Sequence, residues 1–166
     1  FFVIEASSYQ LEYSKIFKSK YSVILNITPD HIERHKSFKN YIKAKFRLLD
    51  AQSTKSIAFV KRNDPVIIKK LRSKKYKQKI IKIDTSLQPP IFENIRNEYF
   101  ISSGNRENLI FVLKICKILK LNEEKILRTV NKFKGLKYRQ QIIFVNNNLT
   151  IINDSKSTSL ASSENL

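Results

Sequence analysis

Three stretches of the sequence carry most of its information: Glu5-Ala-Ser-Ser-Tyr-Gln-Leu-Glu12, Asn26-Ile-Thr-Pro-Asp-His31 and Asn153-Asp-Ser-Lys-Ser-Thr158. The first two each follow a short apolar run, residues 1–4 and 22–27, of the kind that forms a buried strand. In open α/β sheets, ligands bind in the crevice at the carboxyl ends of the strands. We therefore expect Glu5 and His31 to lie side by side at one edge of a sheet, where a carboxylate and an imidazole would suit a metal or phosphate site.

The alternation of strand and helix patterns predicts an α/β fold with a mostly parallel sheet flanked by helices. Further strands are predicted at residues 56–60 and 79–83, and helices at residues 7–13, 37–49, 105–121 and 123–133, with another from residue 65 into a basic run. Residues 91–102 are expected to form a hairpin or paired edge strands. Residues 141–145 and 149–152 predict a second hairpin, because a tight asparagine turn between apolar runs is a hairpin signal. A domain boundary is placed near Leu136.

The net charge of +18 is of the kind found in nucleic-acid-binding proteins. The basic residues, however, are mostly lysines spread along the whole chain, whereas base-reading surfaces rely on arginine and single-strand-binding surfaces interleave aromatic and basic residues. We therefore expect no nucleic-acid partner, and a basic nucleic-acid-binding module stays as the alternative from a different class. No apolar run approaches the roughly 18 residues of a membrane span, so no membrane partner is expected.

Lys45 breaks the pattern of its predicted helix. It lies about one turn from Tyr41, Ile42 and Leu49, in the middle of the apolar stripe. Burial disfavours the ammonium form and can lower a lysine pKa by up to about 3–5 units, and the neutral amine is the form that reacts with carbon dioxide or a carbonyl. The alternative is a lysine whose stem covers apolar surface while its charge reaches water.

The other polar candidates have ordinary explanations when each is taken alone. His31 could be a turn residue, Glu5 could pair with a lysine, and Asp154 with Lys156 could form a weak ion pair. The single cysteine, Cys116, falls on an apolar helical stripe and suggests a structural thiol in a reducing compartment. The expected location is the cytoplasm and the expected state is a monomer.

Taken together, the motifs resemble one family, the Mur ligases. The stretch from Glu5 to Glu12, followed by Asn26-x-Thr-x-Asp-His-x-x-Arg34, is similar to the family's central domain. The stretch Tyr41-Ile-Lys-Ala-Lys45 resembles the helix that carries its carbamylated lysine. Gly135-Leu-Lys-Tyr-Arg139 resembles the segment that enters the C-terminal domain, and the stretch from Asn153 to Thr158 resembles the loop after it. The resemblance implies that residues 1–135 form a partial central ATP-binding domain and that residues 136–166 begin an α/β C-terminal ligase domain.

The resemblance implies an ATP-dependent ligase that phosphorylates a substrate carboxylate and joins the acyl phosphate to an amine, with ATP and Mg²⁺ as cofactors. The Tyr-Gln-Leu-Glu after Ser7-Ser8 favours the branch that adds D-glutamate to UDP-N-acetylmuramoyl-L-alanine in peptidoglycan precursor synthesis. Another ligase of the superfamily, such as a folylpolyglutamate synthase, is the alternative. Its substrate loop would not be expected to contain this sequence.

The resemblance also implies roles for individual residues. Glu5 would bind a magnesium ion at the ATP phosphates, and His31 with carbamylated Lys45 would hold a second one, so that these three residues form the expected catalytic and metal site. The expected ATP-binding residues are Asn105, Asn108, Arg139 and Asp154. The expected substrate-binding residues are Ser7, Gln10, Lys156 and Thr158.

Two features depart from the family pattern. Ser102-Ser103-Gly104 stands where the family has Gly-x-His, and no Gly-x-x-Gly-Lys-Ser/Thr phosphate loop occurs in the sequence. We expect that loop to lie upstream of Phe1, the chain to catalyse nothing alone, and residues 157–166 to begin a helix.

Overall fold

The structure is a computed structural model that describes residues 1–157 of the 166-residue chain. The chain divides into two compact units, Phe1–Thr85 and Ser86–Leu166. Within the described residues, no helix is both long enough and apolar enough to cross a membrane. Thr158 and the helix expected at the end of the chain lie outside the described residues.

The first unit contains a parallel sheet of three strands in the order β1-β2-β3. The strands are β1 (Tyr21–Ile24), β2 (Ile57–Lys61) and β3 (Lys79–Ile83), and the helices are α1 (Ser8–Tyr13), α2 (Ile32–His35), α3 (Phe38–Asp50) and α4 (Pro65–Ser73). Phe59 in the central strand stands opposite Val23 on one side and Ile81 on the other. The predicted parallel sheet with flanking helices is confirmed.

The Asp64 side chain links the segment that follows β1 to the start of α4. Its Oδ1 accepts a hydrogen bond from the Ile67 amide (2.8 Å), which caps the helix, and its Oδ2 accepts one from the Ile27 amide (3.0 Å). Pro65 follows at the first helical position, where its missing N–H costs no hydrogen bond. The core that results packs α3 and α4 on the sheet through Ile24, Ile27, Tyr41, Phe46, Leu49, Ala58, Val60 and Ile67.

The prediction of a buried strand at residues 1–4 is wrong. Phe1, Phe2 and Val3 are almost fully exposed, and Ile4 is 62% exposed. A strand forms only where its backbone N–H and C=O groups find partners on a neighbouring strand. Among the described residues, β1 pairs with β2 alone, and residues 1–4 pair with no strand. Glu5 therefore does not follow the end of a strand, as the sequence had predicted.

The second unit is built around two helices, α5 (Ser103–Ile118) and α6 (Glu123–Lys132). Leu109 and Leu113 of α5 pack against Val130 of α6 and against Ile91 to form its core. The predicted hairpin at the end of the chain is confirmed: β4 (Gln141–Val145) pairs antiparallel with β5 (Thr150–Asn153). The predicted domain boundary near Leu136 falls inside this unit and stays a prediction.

The hairpin predicted at residues 91–102 is wrong, because this stretch forms two short 3-10 turns, Pro90–Asn94 and Glu98–Phe100. Pro89 and Pro90 lack the N–H groups that a paired strand must donate. Asn97 then uses its side chain on the backbone: Oδ1 accepts from the Tyr99 amide, and Nδ2 donates to the Val130 and Phe133 carbonyls. These local bonds replace strand pairing.

Gly135 gives a direct test of packing in the second unit. Its backbone has φ of +74°, and a Cβ added there would lie 2.8 Å from Cδ2 of the Tyr99 ring. Gly135→Ala should therefore lower the free energy of unfolding by at least about 1 kcal/mol, measured by denaturant titration. The matched control is Gly104→Ala within α5, which should be neutral or stabilising by up to about 1 kcal/mol. Equal effects of the two substitutions would contradict the assigned backbone conformation.

Candidate functional site

Lys45 is the centre of the candidate site in the first unit. Helix α3 begins at Phe38 after the Ser37 cap and buries Tyr41, Ala44 and Phe46, which leaves the neighbouring Lys45 half-buried. Burial lowers the pKa of the Lys45 amine, and the carboxylates of Asp30 and Glu5 partly offset this by raising it. The Nζ atom lies 5.7 Å from the centre of the Tyr41 ring. The structure thus brings Lys45 within electrostatic reach of Glu5 and of Asp30, a residue that the sequence analysis did not select.

His31 is held in place by Asp30. The His31 amide donates to Oδ1 of Asp30 (2.9 Å), and the ring nitrogen Nε2 lies 3.3 Å from Oδ2. The backbone of His31 is left-handed, with φ of 52°, a conformation that histidine adopts more readily than most residues. The ring also lies against Tyr9, with 5.1 Å between the ring centres. Asp30 therefore contacts His31 and acts on Lys45, which connects two of the three predicted metal-site residues.

Ser7 and Gln10, two of the predicted substrate residues, form the capping box of α1. The Ser7 hydroxyl accepts from the Gln10 amide (3.2 Å), and the Gln10 side-chain oxygen accepts from the Ser7 amide (2.8 Å). Each satisfies a backbone donor that the first turn of a helix leaves without a partner. Both residues are exposed, so a substrate could reach them while they cap the helix.

His35 was not selected from the sequence, yet it lies at the junction of the elements that carry the site. Its side chain is 0% exposed. The ring is parallel to Tyr9 (5.3 Å between centres) and meets the edge of Tyr41 (5.5 Å), and Nε2 is hydrogen-bonded to the Ser8 hydroxyl (2.9 Å). The Nδ1 atom faces Oε2 of Glu12 at 3.6 Å. His35 therefore packs α2 against α1, which carries Ser7 and Gln10, and against α3, which carries Lys45.

The bond between His35 and Ser8 can be tested by a double-mutant cycle. His35→Phe keeps an aromatic ring but leaves the buried Ser8 hydroxyl without this partner, so it should destabilise the protein by about 1–3 kcal/mol. Ser8→Ala should also destabilise it, and the double variant should lose less than the sum. Ser73→Ala, which removes an exposed hydroxyl, is the control and should change stability by no more than about 0.5 kcal/mol. Strict additivity in denaturant titrations would contradict the bond.

The predicted ATP-binding residues lie in the second unit, and three of them surround Tyr99. The Asn105 side chain donates to the Tyr99 carbonyl (2.9 Å). Burial raises the pKa of the Tyr99 hydroxyl; Arg139 acts to lower it and Asp154 to raise it, which places both charges near this ring. Asn108 is exposed on α5. The structure thus brings Asn105, Arg139 and Asp154 together and leaves Asn108 on the helix surface.

The remaining predicted residues lie in the turn before β4 and in the residues after β5. Asp154 accepts a hydrogen bond from the Gln140 amide through Oδ1 (3.1 Å), and the exposed Lys156 donates from its backbone to the Tyr138 carbonyl. Gln140 was missed from the sequence, where only its position next to Arg139 could have indicated a role. It makes further contacts with Asn105 and Ser102.

The chain matches the Mur ligase middle domain over residues 1–126. Two curated relatives named UDP-N-acetylmuramoylalanine--D-glutamate ligase, from Fusobacterium nucleatum and Elusimicrobium minutum, are 34% and 33% identical. The alignments cover 99% and 96% of this chain but 40% and 38% of the relatives, so the chain spans about two fifths of their length. Among solved structures, that of MurF from Acinetobacter baumannii is similar with a TM-score of 0.70 and 16% identity, over 89% of this chain and 36% of that one.

Because its sequence identity is low, the likeness to MurF bears on the fold alone. The match to the Mur ligase middle domain covers residues 1–126, which is most of the sequence and includes Glu5, His31 and Lys45. The chain therefore belongs to the Mur ligase family.

Proposed function

We propose that this chain is part of an ATP-dependent ligase that adds D-glutamate to UDP-N-acetylmuramoyl-L-alanine. The names of the relatives support this substrate pair, and they favour it over the folylpolyglutamate synthase and nucleic-acid-binding alternatives. The single observation that carries the proposal is the half-buried amine of Lys45. Burial lowers its pKa, and the carboxylates of Asp30 and Glu5 act in the opposite direction. The cytoplasmic location and the monomeric state stay predictions.

The reaction transfers the terminal phosphoryl group of ATP to the substrate carboxylate, which gives ADP and an acyl phosphate. The amine of D-glutamate then attacks the acyl carbon, an amide bond forms, and phosphate leaves. Bound Mg²⁺ would neutralise negative charge on the phosphates and on the transferred group. In this proposal Asn105, Arg139 and Asp154 bind ATP, joined by Asn108 on the helix surface, while Ser7, Gln10, Lys156 and Thr158 contact the ligation substrates.

Among the described residues, no group of three or more His, Cys, Asp or Glu side chains is placed to hold a metal ion, so a magnesium site at Lys45 depends on the oxygen donors that its modification would add. The Lys45 ammonium first loses one proton, and the neutral amine then adds carbon dioxide, forming an N–C bond as one C=O π bond opens and releasing a second proton, so that a cation becomes a carbamate anion. The carbamate would then lie near the carboxylates of Glu5 and Asp30, and these like charges repel unless a cation lies among them. Hard oxygen ligands suit Mg²⁺. Glu5 would hold one magnesium ion, His31 and modified Lys45 would hold a second, and Asp30 would keep His31 oriented.

The carbamate can be sought on this chain directly, by ¹³C NMR after adding ¹³C-labelled bicarbonate. Because burial lowers the pKa of Lys45, a larger fraction of its amine is neutral at a given pH than at an ordinary lysine, so labelling should start at lower pH. Lys45→Ala should remove the carbamate signal that appears at the lower pH. Lys43→Ala, at an exposed position of the same helix, should keep that signal. A signal that survives Lys45→Ala would show that another lysine reacts.

Ligation can be tested by replacing the matching segment of the Fusobacterium nucleatum ligase with this chain. The chimaera should release ADP over many turnovers only when UDP-N-acetylmuramoyl-L-alanine and D-glutamate are both present. Lys45→Ala should reduce the rate on the order of 100-fold or more, because a metal ligand is lost, and short carboxylic acids should restore part of it. Lys43→Ala is the control. Full activity of Lys45→Ala without added acid would refute the carbamate role, and release of ADP with other amino acids would refute the substrate assignment.

A further inference from the structure

His35 lies at the centre of a series of side chains that runs from His31 to Lys45. Its ring is parallel to that of Tyr9, with an angle of 6° between the two planes, and it meets the edge of the Tyr41 ring at 68°. The Tyr9 ring also contacts the His31 ring, with 5.1 Å between their centres. The centre of the Tyr41 ring lies 5.7 Å from the Nζ atom of Lys45. One aromatic ring therefore separates His35 from each of the two residues proposed to share a magnesium ion.

The His35 ring is held from several directions. Its side chain is 0% exposed, and Nε2 is hydrogen-bonded to the Ser8 hydroxyl (2.9 Å). Ser8 begins α1, His35 ends α2 and Tyr41 lies within α3, and all three residues are buried. Aromatic neighbours prefer defined stacked or edge-to-face arrangements, and the hydrogen bond adds a third constraint on the plane of the ring. The ring therefore fixes the relative placement of the three helices around the candidate site.

His31 and Lys45 need such support because neither side chain is rigid on its own. The His31 side chain is 40% exposed and lies against the Tyr9 ring. Lys45 carries its amine on a flexible stem of four carbons. The ligands of a metal ion must be held within about 0.5 Å of their working geometry by neighbours that packing and hydrogen bonds lock in place. Tyr9 and Tyr41 can act in this way because they pack against the fixed ring of His35.

We propose that His35 is a positioning residue for the magnesium site. Through the two tyrosines it sets the separation of His31 and Lys45. This inference rests on the proposed function, in which His31 and modified Lys45 hold one of the two magnesium ions. His35 does not bind the ion itself, because its side chain has no exposed surface. The flat ring rather than the hydrogen bond carries the effect, since the ring makes the contact with each tyrosine.

Two substitutions separate the role of the ring from that of the hydrogen bond. His35→Phe keeps a flat ring and loses the bond to Ser8, so this variant should be less stable and should still position the site. His35→Gln keeps a polar side chain that can reach Ser8 and loses the ring, so it should lose the positioning. Lys39→Ala, an exposed change on α3, is the control and should alter neither.

The geometry is measured on the chain itself by proton NMR. In the wild type, nuclear Overhauser effects should connect the His31 ring to the Tyr9 ring, and the ε-methylene group of Lys45 to the Tyr41 ring. Both effects should be lost in His35→Gln and kept in His35→Phe. Equal losses in these two variants would show that stability rather than the ring decides the geometry, and would overturn the inference. Absence of both effects from the wild type would overturn it as well.

The consequence for metal binding is measured in the chimaera, as the Mg²⁺ concentration that gives half of the maximal ligation rate. Loss of a residue that orients a metal ligand weakens metal binding about 10–100-fold, so His35→Gln should raise this concentration about tenfold or more. His35→Phe should leave it close to the wild-type value. If His35→Gln does not fold, Tyr9→Leu removes the link to His31, leaves the link to Lys45 and should also raise the concentration.

An unchanged Mg²⁺ requirement in the ring-deleted variant that folds would overturn the inference and leave the ligase assignment intact. A purely structural role of His35 would lower stability without changing this requirement. A wild-type chimaera that does not ligate, although the parent ligase is active, would refute the proposed function. In that case the NMR comparison alone decides whether His35 positions His31 and Lys45.

Discussion

The environment of one amine, that of Lys45, connects the fold to the chemistry proposed for it. Helix α3 must bury its apolar face on the sheet, and this places Lys45 beside buried neighbours where a full charge is disfavoured. The carboxylates of Asp30 and Glu5 act in the opposite direction and stabilise the ammonium. Burial has the larger effect, so the net result is a lowered pKa of the Lys45 amine. A lowered pKa makes more of the neutral amine available, which is the form that reacts with carbon dioxide.

Local sequence signals were sufficient for much of the fold. Ser37 caps α3, Asp64-Pro65 starts α4, and the strand predicted at residues 79–83 is β3. Each of these depends on hydrogen bonds or steric limits within a few residues, which sequence patterns report directly. The failed prediction at residues 1–4 depended on partners elsewhere, whereas the hairpin predicted at residues 91–102 failed for the local reason that Pro89 and Pro90 lack N–H donors. Residues 1–4 have the composition of a strand, but composition does not supply a neighbouring strand.

The same distinction explains which residues of the candidate site the sequence could point to. Glu5, His31 and Lys45 were selected as candidates because each lies in a recognisable motif, and their roles stay predictions. His35 and Gln140 act through contacts with residues 27 and 35 positions away, namely Ser8 and Asn105. No pattern in a single sequence shows that such distant side chains will meet. Asp30 is an intermediate case, because it lies in the motif, but its importance becomes visible only when it is seen to contact His31 and to act on Lys45.

The capping box of α1 has a consequence for how this protein is studied by mutagenesis. Ser7 and Gln10 hold the first turn of a helix of six residues, and loss of a serine cap costs about 0.5–2 kcal/mol. Alanine scanning across α1 would therefore merge fraying of the helix with loss of a ligand contact in one measured number. Only replacements that retain a hydroxyl or carbonyl acceptor, such as threonine at position 7, can separate the role of these side chains in capping the helix from any role in binding a ligand.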